Sequence, residues 1–236
     1  MPTFEGLAPA PTNFFMTIRD VAYWVRSARA DARLDRLSQE GQAGSAFDDL
    51  YADTHDPFGV ELPQYRYQQR KYACLLSMLP NRRYRNILDI GCGLGTFTRK
   101  LAPFGERVLG TDISGEAIRQ ATRLSAGHPN VSYLQRDMLE AAPQESAYDL
   151  IIIADTLYYV KSRSPAALKL FAGKIASILT PDGLVLVVNH YFFGIDLASR
   201  ETRGIHDAFR SASGLDCMAE FRRAFFLATL LQRAAS

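Results

Sequence analysis

Between positions 87 and 97 the chain reads Ile87-Leu88-Asp89-Ile90-Gly91-Cys92-Gly93-Leu94-Gly95-Thr96-Phe97, an apolar run ending in three glycines at alternate positions. Glycine takes up backbone conformations closed to residues with a Cβ and lets a ligand approach the main chain. A helix opening at Thr96 would present free N–H groups and a partial positive charge, which suit a carboxylate. A dinucleotide fingerprint of the form G-x-G-x-x-G needs its third glycine at position 96, but Thr96 stands there and the glycine is Gly95. The spacing therefore departs from a nicotinamide-dinucleotide site. The next apolar run, Val108-Leu109-Gly110-Thr111, ends at Asp112, where a carboxylate accepts both hydroxyls of a ribose. The alternative for Asp112 is a cap on the helix after it, two residues from Ser114; the glycine loop just before it favours the ligand role.

Two more polar residues close apolar runs. Asp155 follows Ile151-Ile152-Ile153-Ala154, and His190 lies just beyond Leu184-Val185-Leu186-Val187-Val188. Either could take or orient a proton of a reacting group. The alternatives are a helix cap for Asp155 and a partly buried, backbone-satisfied histidine for His190. Tyr158 and Tyr159 could wall an acceptor pocket or belong to the core, and Tyr65, Tyr67 and Tyr72 carry the same two readings. His55, His128, His190 and His206 are scattered without ligand spacing, so no metal site is expected.

The elements that must position these residues follow from periodicity. Ile18, Val21, Ala22, Val25 and Ala28 recur at helical spacing behind Thr17, predicting a helix to about Leu37, with Gly41 to Gly44 breaking it. A second helix is predicted from Pro63 to Leu79, with Tyr65, Tyr72, Leu75, Leu76 and Leu79 as its buried stripe. From Asn86 onward short apolar runs alternate with helical segments. The runs are 86–90, 107–111, 131–135, 149–154 and 184–188, and the helices 96–101, 114–125, 165–179 and 202–212. Such alternation signals a parallel sheet with helices on both faces. The run from Asp216 to Gln232 reads as two closing strands, the last one antiparallel, although a terminal helix fits its periodicity too.

Composition removes several classes. Basic and acidic residues number 27 and 25 in 236, a net charge of +2, so no strong field of one sign is available for nucleic acid or an anionic membrane. Cys74, Cys92 and Cys217 are odd in number and widely spaced, against a disulfide framework and in favour of a reducing cytoplasm. No run approaches the roughly 20 apolar residues of a membrane span, and the start of the chain lacks a secretory pattern.

With these residues in place, the chain from about Tyr65 onward resembles the class I S-adenosylmethionine-dependent methyltransferases. The resemblance implies a Rossmann-like, doubly wound α/β fold with a mainly parallel seven-stranded sheet, an antiparallel last strand and an N-terminal helical lid. Positions 1–84 would form the tail and lid, and 85–236 the cofactor-binding domain. It implies that Gly91, Gly93 and Gly95 line the amino-acid portion of S-adenosylmethionine, that Asp89 orients its ammonium, and that Asp112 and Ile113 flank ribose and adenine. Asp137 and Met138 match the position that binds the adenine amino group, while Ala154 and Asp155 match the strand end beside the methyl group. The product would be S-adenosylhomocysteine.

A narrower resemblance, to the nodulation-protein-S type of small-molecule N-methyltransferase, rests on Asp53 to Gly59, on Tyr65 to Tyr72 with Arg70-Lys71-Tyr72, and on Asp155-Thr156-Leu157-Tyr158-Tyr159-Val160. It implies an amino-sugar acceptor and brings Arg70 to the cofactor carboxylate. The chain departs from that group in Asp155, where a glutamate is expected. The expected partner is thus a small-molecule acceptor, with Asp155 and then His190 as candidate catalytic groups and Tyr65, Tyr158 and Tyr159 as candidate acceptor contacts. Competing readings are a small-metabolite O-methyltransferase, an RNA or protein methyltransferase, and a non-catalytic cofactor-binding or assembly partner. Against RNA, the fourth strand lacks an N-P-P-Y type of motif and no basic arm is present. The oligomeric state stays open, a homodimer included.

Overall fold

The computed structural model describes residues 18–40, 43–137, 147–160, 162–192, 195–223 and 225–235. The chain divides into two compact units at Arg82/Arg83. In the first, α1 (Ile18–Glu40), α2 (Ala43–Asp53) and α3 (Arg66–Met78) surround Tyr23, Leu34, Leu50, Tyr67 and Leu75, all buried. Helix α2 was not expected. Gly44 lies inside it, because Ala46, Leu50 and Tyr51 supply an apolar face that outweighs the helix-weakening glycine. Helix α3 starts at Arg66 rather than Pro63. Tyr65 occupies its N-cap without a side-chain cap bond, and the Tyr67 N–H instead donates to Asp20 Oδ1 of α1 at 3.0 Å. Its buried face is Tyr67, Gln68, Lys71, Tyr72, Cys74, Leu75 and Met78, followed by Leu79, so Tyr72, Leu75 and Leu79 of the expected stripe are buried while Tyr65 and Leu76 are half-buried.

The second unit is a seven-stranded sheet of β1 (Tyr84–Ile90), β2 (Gly105–Asp112), β3 (Val131–Gln135), β4 (Tyr148–Ala154), β5 (Leu179–His190), β6 (Leu215–Arg223) and β7 (Phe226–Arg233). Their order is β3-β2-β1-β4-β5-β7-β6, and β7 runs antiparallel to both its neighbours while the other pairs are parallel. This is the Rossmann-like methyltransferase arrangement. The closing strands are a hairpin, so the terminal helix is excluded. The central runs, such as Leu150-Ile151-Ile152-Ile153 and Val185-Leu186-Val187-Val188, are buried on both faces, which is why they read as continuous apolar stretches.

The connecting helices are α4 (Thr96–Leu101), α5 (Gly115–Leu124), α6 (Pro165–Ile178) and α7 (Leu197–Arg210). Helices α6 and α7 pack Phe171, Ile175, Ile205 and Phe209 on the face carrying Leu88, Ile90, Ile151, Ile153, Val185 and Val187. Helix α4 lies on the other face, since Thr98 bonds to Asp89, whose side chain alternates with Leu88 and Ile90. The chain therefore leaves β1 in one direction and β4 in the other, and a seam opens at their carboxyl ends, the usual ligand position in such sheets. Two boundaries moved by five residues, the others by less. Helix α7 begins at Leu197, capped by Asp196, five positions before the expected Thr202. Strand β5, expected over 184–188, begins at Leu179, with a bulge between the Tyr148↔Leu179 and Leu150↔Leu184 pairs.

Candidate functional site

On one side of the seam the three glycines make a tight loop. Gly91, Gly93 and Gly95 have φ of 71°, 52° and 71°, all left-handed, and Gly95 is the N-cap of α4. The Gly91 and Cys92 N–H groups donate to the Thr111 carbonyl at 2.8 and 3.0 Å, tying the loop to the end of β2. Space is as restrictive as conformation: a Cβ at Gly91 would lie 2.1 Å from Thr156 Oγ1, and one at Gly95 2.1 Å from the Tyr133 hydroxyl.

Asp112 ends β2 and bridges its own turn to this loop, with Oδ2 accepting from the Gly93 N–H at 2.8 Å and Oδ1 from the Ser114 N–H at 3.0 Å. The α5 cap is Ser114, whose hydroxyl accepts from the Ala117 N–H. Each Asp112 oxygen keeps further acceptor capacity. Ile113 and Asp137 follow the ends of β2 and β3 and are half-buried; Met138 lies outside the described residues.

Asp89 is 3% exposed beneath the loop and accepts a hydrogen bond from Thr98 Oγ1 at 2.6 Å. Burial, offset in part by that bond and reinforced by the Asp112 charge, pushes its carboxyl up to about 7. A buried carboxylate so placed favours a cation. Burial and the same two carboxylates push the Cys92 thiol well up, so it stays protonated.

Across the seam, Ala154 ends β4 half-buried, and Asp155 has φ 55°, a left-handed conformation that costs a residue with a side chain. It is held there because its N–H donates to the Val188 carbonyl at 2.9 Å and the next residue, Thr156, donates to the carbonyls of Ile90 and Ala154 at 3.1 and 3.0 Å. Asp155 does not cap α6; Ser164 does. Instead Asp155 Oδ1 lies 3.7 Å from His190 Nε2, at the end of β5. The His190 ring stacks on Tyr158 (5.9 Å between centroids, 11° between planes) and on Phe192 (6.1 Å, 27°). Phe192 meets Phe225 at 5.9 Å, and Tyr159 meets Tyr158 edge-on at 6.3 Å. A run of aromatic rings thus borders the Asp155–His190 pair.

Burial and the nearby Asp155 charge push the Tyr158 hydroxyl well up, so it remains a donor, and it bonds to the His190 carbonyl at 3.0 Å. The structure therefore brings Asp89, the glycines, Asp112, Ile113, Asp137, Ala154, Asp155, Tyr158, Tyr159 and His190 to the carboxyl edge of one sheet. Tyr65 and Arg70 belong to the first unit, where Arg70 is exposed and Tyr65 packs on Tyr23 at 5.8 Å. Residues not anticipated are Thr98, Thr156, Tyr133, Phe192 and Phe225. Among the described residues no group of histidine, cysteine, aspartate and glutamate could hold a metal ion, and no helix is long and apolar enough to cross a membrane.

The family model described as nodulation protein S matches residues 46–190. Nodulation protein S of Sinorhizobium fredii is 28% identical over 139 residues, covering 59% of this chain and 60% of its own length. That of Rhizobium tropici is 30% identical over 146 residues, 62% of this chain and 56% of its own length. This chain thus spans about three fifths of the curated relatives it matches. The crystal structure of the N-methyltransferase NodS from Bradyrhizobium japonicum WM9, in complex with S-adenosylhomocysteine, superposes with a TM-score of 0.66 over 88% of this chain and 98% of its own, at 19% identity. That likeness shows the fold. With more than half of its length matched by the family model, and with the strand order and glycine loop described above, this chain belongs to the nodulation protein S family, within the class I S-adenosylmethionine-dependent methyltransferases.

Proposed function

We propose that this chain transfers a methyl group from S-adenosylmethionine to a small-molecule acceptor, by preference the amine nitrogen of an amino sugar. The observation that carries the reading is the glycine loop, with left-handed φ at Gly91, Gly93 and Gly95 and the Gly93 N–H bonded to Asp112, directly after the buried Asp89. In this reading Asp89 takes the cofactor ammonium, Asp112 the ribose hydroxyls, and Ile113 and Asp137 the adenine. The acceptor lone pair attacks the methyl carbon in line, the carbon–sulfur bond breaks, and its electron pair stays on sulfur. The nitrogen gains a positive charge and loses a proton to the Asp155–His190 pair. Holding nucleophile and methyl close and collinear supplies most of the acceleration, up to roughly 7 to 11 kcal/mol in ideal cases. The aromatic run offers flat apolar faces for a sugar ring, and the relative from Bradyrhizobium japonicum is named an N-methyltransferase.

Calorimetry with S-adenosylmethionine and S-adenosylhomocysteine, on the intact protein and on Asp112→Ala, tests the cofactor half. Micromolar binding lost in the variant supports it, and no binding by the intact protein overturns it. A second reading, O-methylation, is favoured by one observation, the carboxylate beside the imidazole, an arrangement that suits deprotonation of a hydroxyl. Methyl transfer to glucosamine followed by mass spectrometry of the fragments separates nitrogen from oxygen products.

A further inference from the structure

Helix α7 presents a polar stripe to the end of β5. Ser199, Thr202 and His206 are all fully buried and recur at helical spacing. Asp196 caps the helix by accepting from the Ser199 N–H at 2.8 Å, and it also receives the Ser199 hydroxyl at 2.7 Å. Ser199 Oγ in turn accepts the Phe192 N–H at 3.0 Å. One turn on, Thr202 Oγ1 donates to the His190 carbonyl at 2.7 Å, and it sits 3.1 Å from the Tyr158 hydroxyl that reaches the same carbonyl. One turn further, His206 Nδ1 meets Thr229 Oγ1 at 2.6 Å.

The Thr202 and Ser199 side chains grip the backbone on either side of Tyr191, at the carbonyl of residue 190 and the N–H of residue 192. Such groups need partners when buried. Here the partners converge on the one residue whose imidazole stands 3.7 Å from Asp155, and Tyr158 both bonds its carbonyl and stacks on its ring. We infer that Thr202 is a positioning residue: together with Tyr158 it holds the His190 main chain so that the imidazole faces Asp155. The inference rests on the proposed role of the Asp155–His190 pair, but its geometry is testable without any acceptor.

The test compares the intact protein, Thr202→Val and Thr202→Ser, each labelled with 15N-histidine, free and with S-adenosylhomocysteine added. In Thr202→Val, which keeps the side-chain shape and loses the donor, the His190 ring resonances should shift and broaden. Those of His206, on the same helix, should stay in place, and Thr202→Ser should restore the His190 signals. Unmoved His190 signals in Thr202→Val would overturn the inference. So would an equal displacement of His206, the mark of a merely structural role, or a failure of serine to restore the signals. Calorimetry with S-adenosylhomocysteine on the same samples separates the two claims. Loss of binding in the intact protein sinks the methyltransferase reading and leaves the positioning claim to the spectra.

Discussion

Gly91 and Thr156 occupy one space from two strand ends. Gly91→Ala places a Cβ 2.1 Å from the threonine hydroxyl at φ 71°, and the left-handed conformation alone costs about 1 to 2 kcal/mol. The variant is expected to fold with a lowered melting temperature and to lose S-adenosylhomocysteine binding, read by thermal melts and calorimetry. Asp89 gives a second expectation. Its carboxyl is raised to about 7, so if it pairs with the cofactor ammonium as proposed, binding near or below that pH releases a proton. Cofactor affinity should therefore weaken as pH falls from 8 to 6, and near pH 6.5 the binding heat should vary with the ionisation enthalpy of the buffer. A heat independent of buffer would remove Asp89 from the ammonium site. At this scale the glycines, Asp89 and Asp112 were legible because their spacing along one strand–loop–helix unit is local. Thr156 was not, since its partner carbonyl at Ile90 is 66 residues away and no local pattern marks it.

The centres of β1, β4 and β5 were legible because burial on both faces leaves a continuous apolar run, whereas the early start of β5 and the helix starts left no such mark. Asp196 was an ordinary acidic residue in the sequence, and only its bonds to Ser199 show that α7 starts beside it. Helix α7 is further clamped to β6 through Arg203 and Glu220 at 2.8 Å, and the Tyr191 ring lies between Arg203 and Arg222, at 5.4 and 4.7 Å. The hairpin joining β6 to β7 carries Phe225 at φ 66°, a position that suits glycine, so an aromatic side chain is kept there at a conformational cost. Phe225→Gly should retain or slightly raise the melting temperature and leave S-adenosylhomocysteine binding intact. The same variant should raise the KM for an amino-sugar acceptor. An unchanged KM would exclude Phe225 from the acceptor side. In the core beneath, Ile153→Ala on the face against α6 and α7 should cost about 2 to 5 kcal/mol in a denaturant titration.

Two buried groups act on the stability of the second unit in opposite directions. Burial, helped by Arg203 and Arg210, depresses His206 to about 3 from its usual 6.5, so its contribution is complete above pH 6.5 and is lost as pH falls below that. Asp89 is raised from 3.8 to about 7, so its contribution is complete below pH 3.8 and is lost as pH rises toward 7. Between these limits the two offset each other. In melts of intact protein and His206→Gln, the advantage of the intact protein should shrink as pH is lowered from 7 toward 4; a constant difference would show that His206 titrates alike in both states. Under the proposed role of Asp89, added S-adenosylhomocysteine holds it as a carboxylate and should make the protein more acid-sensitive than it is without ligand.

The seam between β1 and β4 divides labour along the same lines. The glycine loop, Asp89 and Asp112 stand on β1 and β2, while Asp155, His190, Phe192 and Phe225 stand on or just beyond β4, β5 and the β6–β7 hairpin. Thr156 fastens the first group to the second, donating to the carbonyls that close β1 and β4. Under the proposed roles, inheritance and novelty are physically partitioned. Substitutions along the β4, β5 and β7 edge are then expected to retarget the reaction to a new acceptor while the methyl donor stays gripped, and Thr156 stands where the two halves meet.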